Sequence, residues 1–194
     1  MKKLIFASGN KGKVKEVKNL FSGSGFEIVS LYDLDNVPEI EETGATFYEN
    51  AFIKAKEIYD IYKVPVIADD SGLEIEQLGG RPGVYSARYA FEGCTYEDNN
   101  NKVLGELKDL PEPHKAAFVC CAIYFDGENE THCFGRLEGK IVKERKGDKG
   151  FGFDPIFVPD EYEKTLAEFE LEEKNKISHR SRAFEELKKK LSAS

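Results

Sequence analysis

Two consecutive carboxylates close a short apolar run, Val64-Pro65-Val66-Ile67-Ala68-Asp69-Asp70-Ser71-Gly72-Leu73. Val64 to Ala68 reads as a buried strand, too short for a helix and punctuated on both sides. Ser71-Gly72 then reads as a turn. Neighbouring strand residues face opposite ways, so Asp69 and Asp70 cannot share one task. In a sheet whose ligands gather beyond the strand ends, one of them is placed to hold a metal. The competing reading is a pair of acids that only solvates a turn.

Three other stretches have residue types suited to chemistry. Ser8-Gly9-Asn10-Lys11-Gly12-Lys13 follows the apolar run Leu4 to Ala7 and precedes Val14, Val17, Leu20 and Phe21 at helical spacing. A strand, a Gly-containing turn and a helix start present unpaired N–H groups and a positive helix end to an anion, with Lys11 and Lys13 adding charge. The Walker A spacing is absent, so a P-loop NTPase is excluded, while a plain turn with solvated lysines stays open. Lys149-Gly150-Phe151-Gly152-Phe153-Asp154-Pro155 puts two aromatics among glycines. Such a turn either offers a base-stacking platform or is pinned to the core by its phenylalanines. Glu172 to Arg182 contains Lys174 and, at Ser178, an N-cap type, so His179 and Arg180 fall in the first turn of a helix with Ala183, Phe184, Leu187 and Leu191 on its apolar stripe. His179 is there either a surface residue or a participant in a site.

The elements that must position these residues follow from pattern. Phe26 to Leu31 reads as a second strand. The irregular acidic segment Pro38 to Gly44 leads into Thr46-Phe47-Tyr48-Glu49, a capping box, with Phe47, Ala51, Ala55, Ile58 and Tyr62 on one helix face. Lys54 and Lys56 lie on different faces of that helix. Leu73 to Glu76 alternates as a strand, and Leu78 to Tyr89 is a Gly- and Pro-containing loop with two arginines and two tyrosines. Thr95 to Leu110 reads as a helix. Ala116 to Phe125 reads as a central strand, turned at Asp126 to Asn129 into a hairpin partner from Thr131 to Leu137, which makes the sheet mixed.

Composition sets the bounds. A chain of 194 residues suits one domain, or one core with a subsidiary lobe. A net charge of −8 argues against non-specific nucleic-acid binding but not against a small anionic substrate. Cys94, Cys120, Cys121 and Cys133 show neither CxxC nor zinc spacing, so reduced buried thiols are expected. No apolar run suits a signal peptide or a membrane span, and a soluble, cytoplasmic protein is expected.

The chain resembles the inosine triphosphate pyrophosphatase (Ham1-like) family. The resemblance is carried in family order by 8–13, by Glu-Glu-Thr-Gly-Ala-Thr-Phe-Tyr-Glu-Asn-Ala at 41–51, by Ala-Asp-Asp-Ser-Gly-Leu at 68–73, by Leu-Gly-Gly-Arg-Pro-Gly-Val-Tyr-Ser-Ala-Arg at 78–88, by 150–155 and by Glu-Lys-Asn-Lys-Ile-Ser-His-Arg at 173–180. It implies an α/β fold, with an elongated mixed sheet flanked by helices and two lobes around a central cleft, the whole chain forming one such domain. The implied activity is Mg²⁺-dependent hydrolysis of ITP, dITP and XTP to the monophosphate and pyrophosphate, by a homodimer. By the same resemblance Ser8, Gly9, Asn10, Lys11, Gly12 and Lys13 bind the triphosphate, with Lys54 a further contact. Asp70 is the essential acid, and Glu41 its metal-binding partner, with Glu42 the alternative. Ser71 touches substrate; Phe151, Gly152, Phe153 and Asp154 line the base pocket; and Lys174, His179 and Arg180 complete it. Phe153 is expected to stack on the base, and Arg180 or His179 to donate to its 6-oxo group. The alternatives are a pyrophosphatase of other modified triphosphates, a nucleotide-binding protein without turnover, and a structural or interaction protein.

Overall fold

The apolar run near the start forms strand β1, Lys2–Phe6, with Leu4, Ile5 and Phe6 buried. This computed structural model describes residues 2–35 and 37–192. The remaining strands are β2 (Phe26–Ser30), β3 (Val66–Ile75), β4 (His114–Phe125), β5 (Glu130–Ile141) and β6 (Phe157–Pro159); the helices are α1 (Lys11–Leu20), α2 (Phe47–Tyr62), α3 (Tyr96–Leu107), α4 (Leu171–Ile177) and α5 (His179–Ser192). The sheet order is β2-β1-β3-β4-β5-β6. β1 pairs in parallel with β2, Leu4 opposite Ile28, and with β3, Ile5 opposite Val66. β5 pairs antiparallel with β6. The sheet is therefore mixed, and the parallel pairs are joined by crossovers that contain α1 and α2, as parallel pairing demands.

The chain divides into two compact units. One comprises residues 1–70, 120–135 and 179–194, and the other 71–119 and 136–178. The first buries Leu4, Phe6, Val17, Phe21, Ile67, Phe184 and Leu187 together. Phe6, Phe21 and Phe184 meet edge to face within it. The second buries Leu73, Ile75, Leu107, Phe118, Phe153 and Phe157. Among the described residues, no helix is long and apolar enough to cross a membrane.

Several elements differ from the pattern reading. Strand β3 does not stop at Asp70 but continues through Ser71 and Gly72 to Ile75. The Ser-Gly turn signal is overridden because Leu73 and Ile75 are fully buried, and Leu73 N–H finds a partner in Ser86 Oγ at 2.9 Å. Helix α3 ends at Leu107, short of the expected Leu110. Residues 171–177 form a helix of their own, α4, started by a capping box between Glu170 and Glu173. Strand β5 runs longer than expected at both ends.

Candidate active site

In the first unit, the helix start after β1 is built locally. Asn10 is the N-cap of α1, and its Oδ1 accepts from Lys13 N–H at 3.1 Å. Ser8 Oγ in turn accepts from Asn10 N–H at 3.2 Å. The Tyr32 hydroxyl donates to the Gly9 carbonyl. Lys11 is exposed, and Gly12 and Lys13 are half-buried. The first turn of α1 contains no acid, so its positive end is uncompensated by a carboxylate there.

The strand geometry separates the two aspartates as alternation requires. Asp69 Oδ2 lies 3.1 Å from Lys13 Nζ and 3.1 Å from Arg180 Nε. Arg180 Nη1 also reaches Glu16 Oε2 at 2.6 Å. All three members of the Arg180–Asp69–Glu16 set are almost completely buried. Burial works against the Arg180 charge, but Asp69 and then Glu16 outweigh it and hold the guanidinium firmly protonated. The Cys121 thiol is pushed up to about 12, by burial first and then by Asp69 and Asp70.

Asp70 faces a different set. Its Oδ2 accepts from Asn50 Nδ2 at 3.1 Å, and its Oδ1 lies 3.8 Å from Lys54 Nζ. Lys54 Nζ donates to Glu42 Oε1 at 2.8 Å. Burial raises the Asp70 pKa, and Glu42 adds to the rise against the opposing pull of Lys54, Lys13 and Asn50. Burial would depress Lys54, yet Asp70, Glu42 and Asp69 together leave its pKa raised. Glu49 is taken up by the capping box of α2, its Oε2 accepting from Thr46 N–H at 3.1 Å. Of the neighbouring acids, Glu42 is the one brought to Lys54 and Asp70, whereas Glu41 is exposed. Lys54 is the buried lysine of α2 and Lys56 the exposed one, as their different faces require.

Among the described residues, no three His, Cys, Asp or Glu side chains form a set that could hold a metal unaided. Asp70 and Glu42 instead share one cation, the Lys54 ammonium. Mg²⁺ is commonly held by one or two carboxylates plus the phosphates of its substrate, so two hard oxygen donors of this kind fit a metal that arrives with a polyphosphate.

In the second unit, Asp154 Oδ2 accepts from Phe151 N–H at 2.9 Å and from Lys174 Nζ at 2.5 Å. Gly150 has φ +74°, and a Cβ there would overlap the Asp154 carboxylate, so the turn requires glycine. The Lys174 ammonium lies 4.7 Å from the centre of the half-buried Phe151 ring, and Tyr96 flanks that ring at 6.2 Å. Asn100 donates through Nδ2 to the Gly152 carbonyl at 2.9 Å and to the Tyr96 carbonyl at 2.6 Å, tying the turn to α3. Ser71, half-buried, is the first residue of this unit.

Burial and ion pairing bear on two expected side-chain roles. Phe153 is 3% exposed within the second core, so its ring cannot stack on a base; Phe151 has the accessible ring. Arg180 is committed through Nε and Nη1 to Asp69 and Glu16, and His179 is likewise buried. The cation beside the aromatic ring is Lys174. Glu16, Asn50 and Asn100 were not singled out from the sequence. Their signal is a polar residue on a helix face otherwise given to the core, as Asn50 and Lys54 are among Phe47, Ala51, Ala55 and Ile58.

Known proteins similar to this chain match it over almost its whole length. The dITP/XTP pyrophosphatase of Oceanobacillus iheyensis is 50% identical over 192 residues, covering 97% of this chain and 98% of the relative. That of Bacillus subtilis is 47% identical over 195 residues, covering 100% and 98%. The structure of the Staphylococcus aureus Ham1 protein superposes with a TM-score of 0.87 at 37% identity over 99% of each chain, and a HAM1 protein from Coxiella burnetii with 0.90 at 37% identity over the whole of each. With a family model matching residues 4–190 and these relatives spanning almost every residue, the chain belongs to the Ham1 family.

Proposed function

We propose that the protein hydrolyses non-canonical purine nucleoside triphosphates (dITP, XTP and ITP) to the monophosphate and pyrophosphate. The observation that carries this reading is the buried Asp70 carboxylate, approached by Lys54 and Asn50 on one side of β3 while Asp69 holds Lys13 on the other. The relatives, dITP/XTP pyrophosphatases by name, supply dITP and XTP as the substrate class, and the family resemblance adds ITP.

Residues of the first unit suit the phosphates. The α1 start offers backbone N–H groups and Lys11, and Lys13 contributes a cation that Asp69 orients. Asp70 orients a water and accepts its proton as the water oxygen bonds to the α-phosphorus; the bond from that phosphorus to the bridging oxygen breaks, and pyrophosphate leaves. Lys13 and Lys54 offset the charge that develops. Asp70 and Glu42 would hold Mg²⁺, which when bound supplies charge neutralisation to the phosphate oxygens.

Residues of the second unit suit a purine. The Phe151 ring offers a stacking face, and Lys174 beside it offers a donor to a 6-oxo group. Adenine presents an amino group at that position and would set a donor against the ammonium, which Asp154 already holds, in place of an acceptor, a costly mismatch. Guanine shares the oxygen but brings a 2-amino group that fit must exclude. The family resemblance supports a homodimer, and four cysteines without CxxC or zinc spacing support a cytoplasmic location.

The test is product analysis with ITP, dITP, XTP, ATP and GTP, with Mg²⁺ and with EDTA. Pyrophosphate and monophosphate from the first three, orders of magnitude faster than from ATP or GTP and abolished by EDTA, are expected. Stepwise release of phosphate, or equal rates for all five, would refute the reading.

A further inference from the structure

Asn50 occupies a position that the proposed chemistry does not yet use. Its side chain is 1% exposed on the buried face of α2, one turn before Lys54 on the same face. Its Nδ2 donates to Asp70 Oδ2 at 3.1 Å, and its Oδ1 accepts from Gly44 N–H at 2.7 Å. The carboxamide thus joins the end of the acidic segment that carries Glu42 to the strand that carries Asp70. Its orientation is dictated chemically. A flipped amide would set carbonyl oxygen against carboxylate and N–H against N–H, two repulsions in place of two hydrogen bonds. Gly44 is part of the same device. A Cβ at that position would stand 2.7 Å from Asn50 Oδ1 and 2.6 Å from Glu49 Cβ, so only glycine lets the segment come this close.

We propose that Asn50 is a positioning residue for hydrolysis: by binding Asp70 Oδ2 it fixes the carboxylate plane and turns Oδ1 toward Lys54. Without it, the carboxylate rotates and closes a two-oxygen pair with the Lys54 ammonium. That pair holds Asp70 away from the water whose proton it must accept. The effect falls on the chemical step and leaves substrate binding alone, because Asn50 contacts neither the α1 start nor the Phe151 turn in any hydrogen bond described above. The inference rests on Asp70 being the essential acid.

The experiment is steady-state kinetics of the full chain with ITP and saturating Mg²⁺ for wild type, Asn50→Leu, Asp70→Asn and the double variant. Asn50→Leu is expected to lower kcat by about tenfold or more with KM within ~threefold. In the Asp70→Asn background the same change is expected to cost less than ~threefold, since both act through one group. Asn50→Ser, small and polar, gives the same kcat loss and serves where the leucine does not fold. In metal-free protein, the Asn50 side-chain amide NMR resonances shift in Asp70→Asn. Wild-type kcat in Asn50→Ser, a purely KM effect, additive losses in the double variant, or unshifted amide resonances would overturn the inference. Inactivity of the wild type toward ITP, or an active Asp70→Asn, would instead overturn the proposed function.

Discussion

Arg180 Nε lies 3.1 Å from Asp69 Oδ2, with both side chains almost wholly buried. The same oxygen is 3.1 Å from Lys13 Nζ, so one carboxylate links the N-terminus of α5 to the first turn of α1. A buried charge set of this kind contributes little net stability against an apolar replacement, but breaking it is expensive. Its use here is to hold Lys13 in place.

Arg180→Met removes the guanidinium that the buried Asp69 and Glu16 share, while Lys13 still approaches Asp69. The expected loss is about 3–5 kcal/mol of unfolding free energy, read from urea denaturation. Arg180→Lys restores the charge but not the fork that serves two carboxylates, and is expected to recover only part of that loss. Glu16→Gln keeps a hydrogen-bond acceptor for Nη1 and is expected to cost less than Arg180→Met. Equal stability of all three variants and wild type would contradict a structural charge set.

Asp70→Asn separates activity from stability. Loss of the general base is expected to lower kcat by ~10²-fold or more. The stability effect has the opposite sign. Burial raises the folded-state pKa of Asp70 above its unfolded value, so the folded chain binds that proton more tightly than the unfolded chain. Its contribution is therefore fully present below the unfolded pKa and is lost as pH rises through the raised folded one. In metal-free buffer the asparagine variant should melt above wild type at about pH 8, with the gap closing toward about pH 4. Differential scanning calorimetry across that range checks it.

Phe151 and Phe153, two residues apart, should give opposite phenotypes. Phe153→Ala opens a cavity among Leu73, Leu107 and Phe118 and is expected to cost about 3–5 kcal/mol of stability. Phe151→Ala should leave the melting temperature nearly unchanged and reduce kcat/KM for ITP. Loss of one stacked base contact, ~1–3 kcal/mol, corresponds to roughly 5- to 150-fold. The reverse pattern would mean that the stacking ring has been misassigned.

The thiols offer a direct check on burial. Cys120, Cys121 and Cys133 are buried and Cys94 is half-buried. Cys121, pushed up to about 12, stays protonated at neutral pH. One thiol is expected to react with an aromatic disulfide reagent in the native protein and four in denaturant, counted by absorbance.

Local chemistry was legible in the chain as written. The helix start after Ser8 to Lys13, the Thr46–Glu49 capping box and the opposite facing of Asp69 and Asp70 each depend on residues within a few positions or on the two-residue strand period. These interactions are settled by backbone geometry that the neighbouring residues carry with them. Tertiary structure decided which of several equivalent types did the work. Arg180 meets Glu16 across 164 residues and Asp69 across 111, distances at which no spacing rule operates. Phe151 and Phe153 are the same residue type on either side of Gly152, and only packing against the second core sent one inward. Ser71-Gly72 carries a turn signal, yet burial of Leu73 and Ile75 kept it in a strand. Desolvation and packing act on the folded surroundings of a side chain, and those surroundings are assembled from segments that lie far apart along the chain.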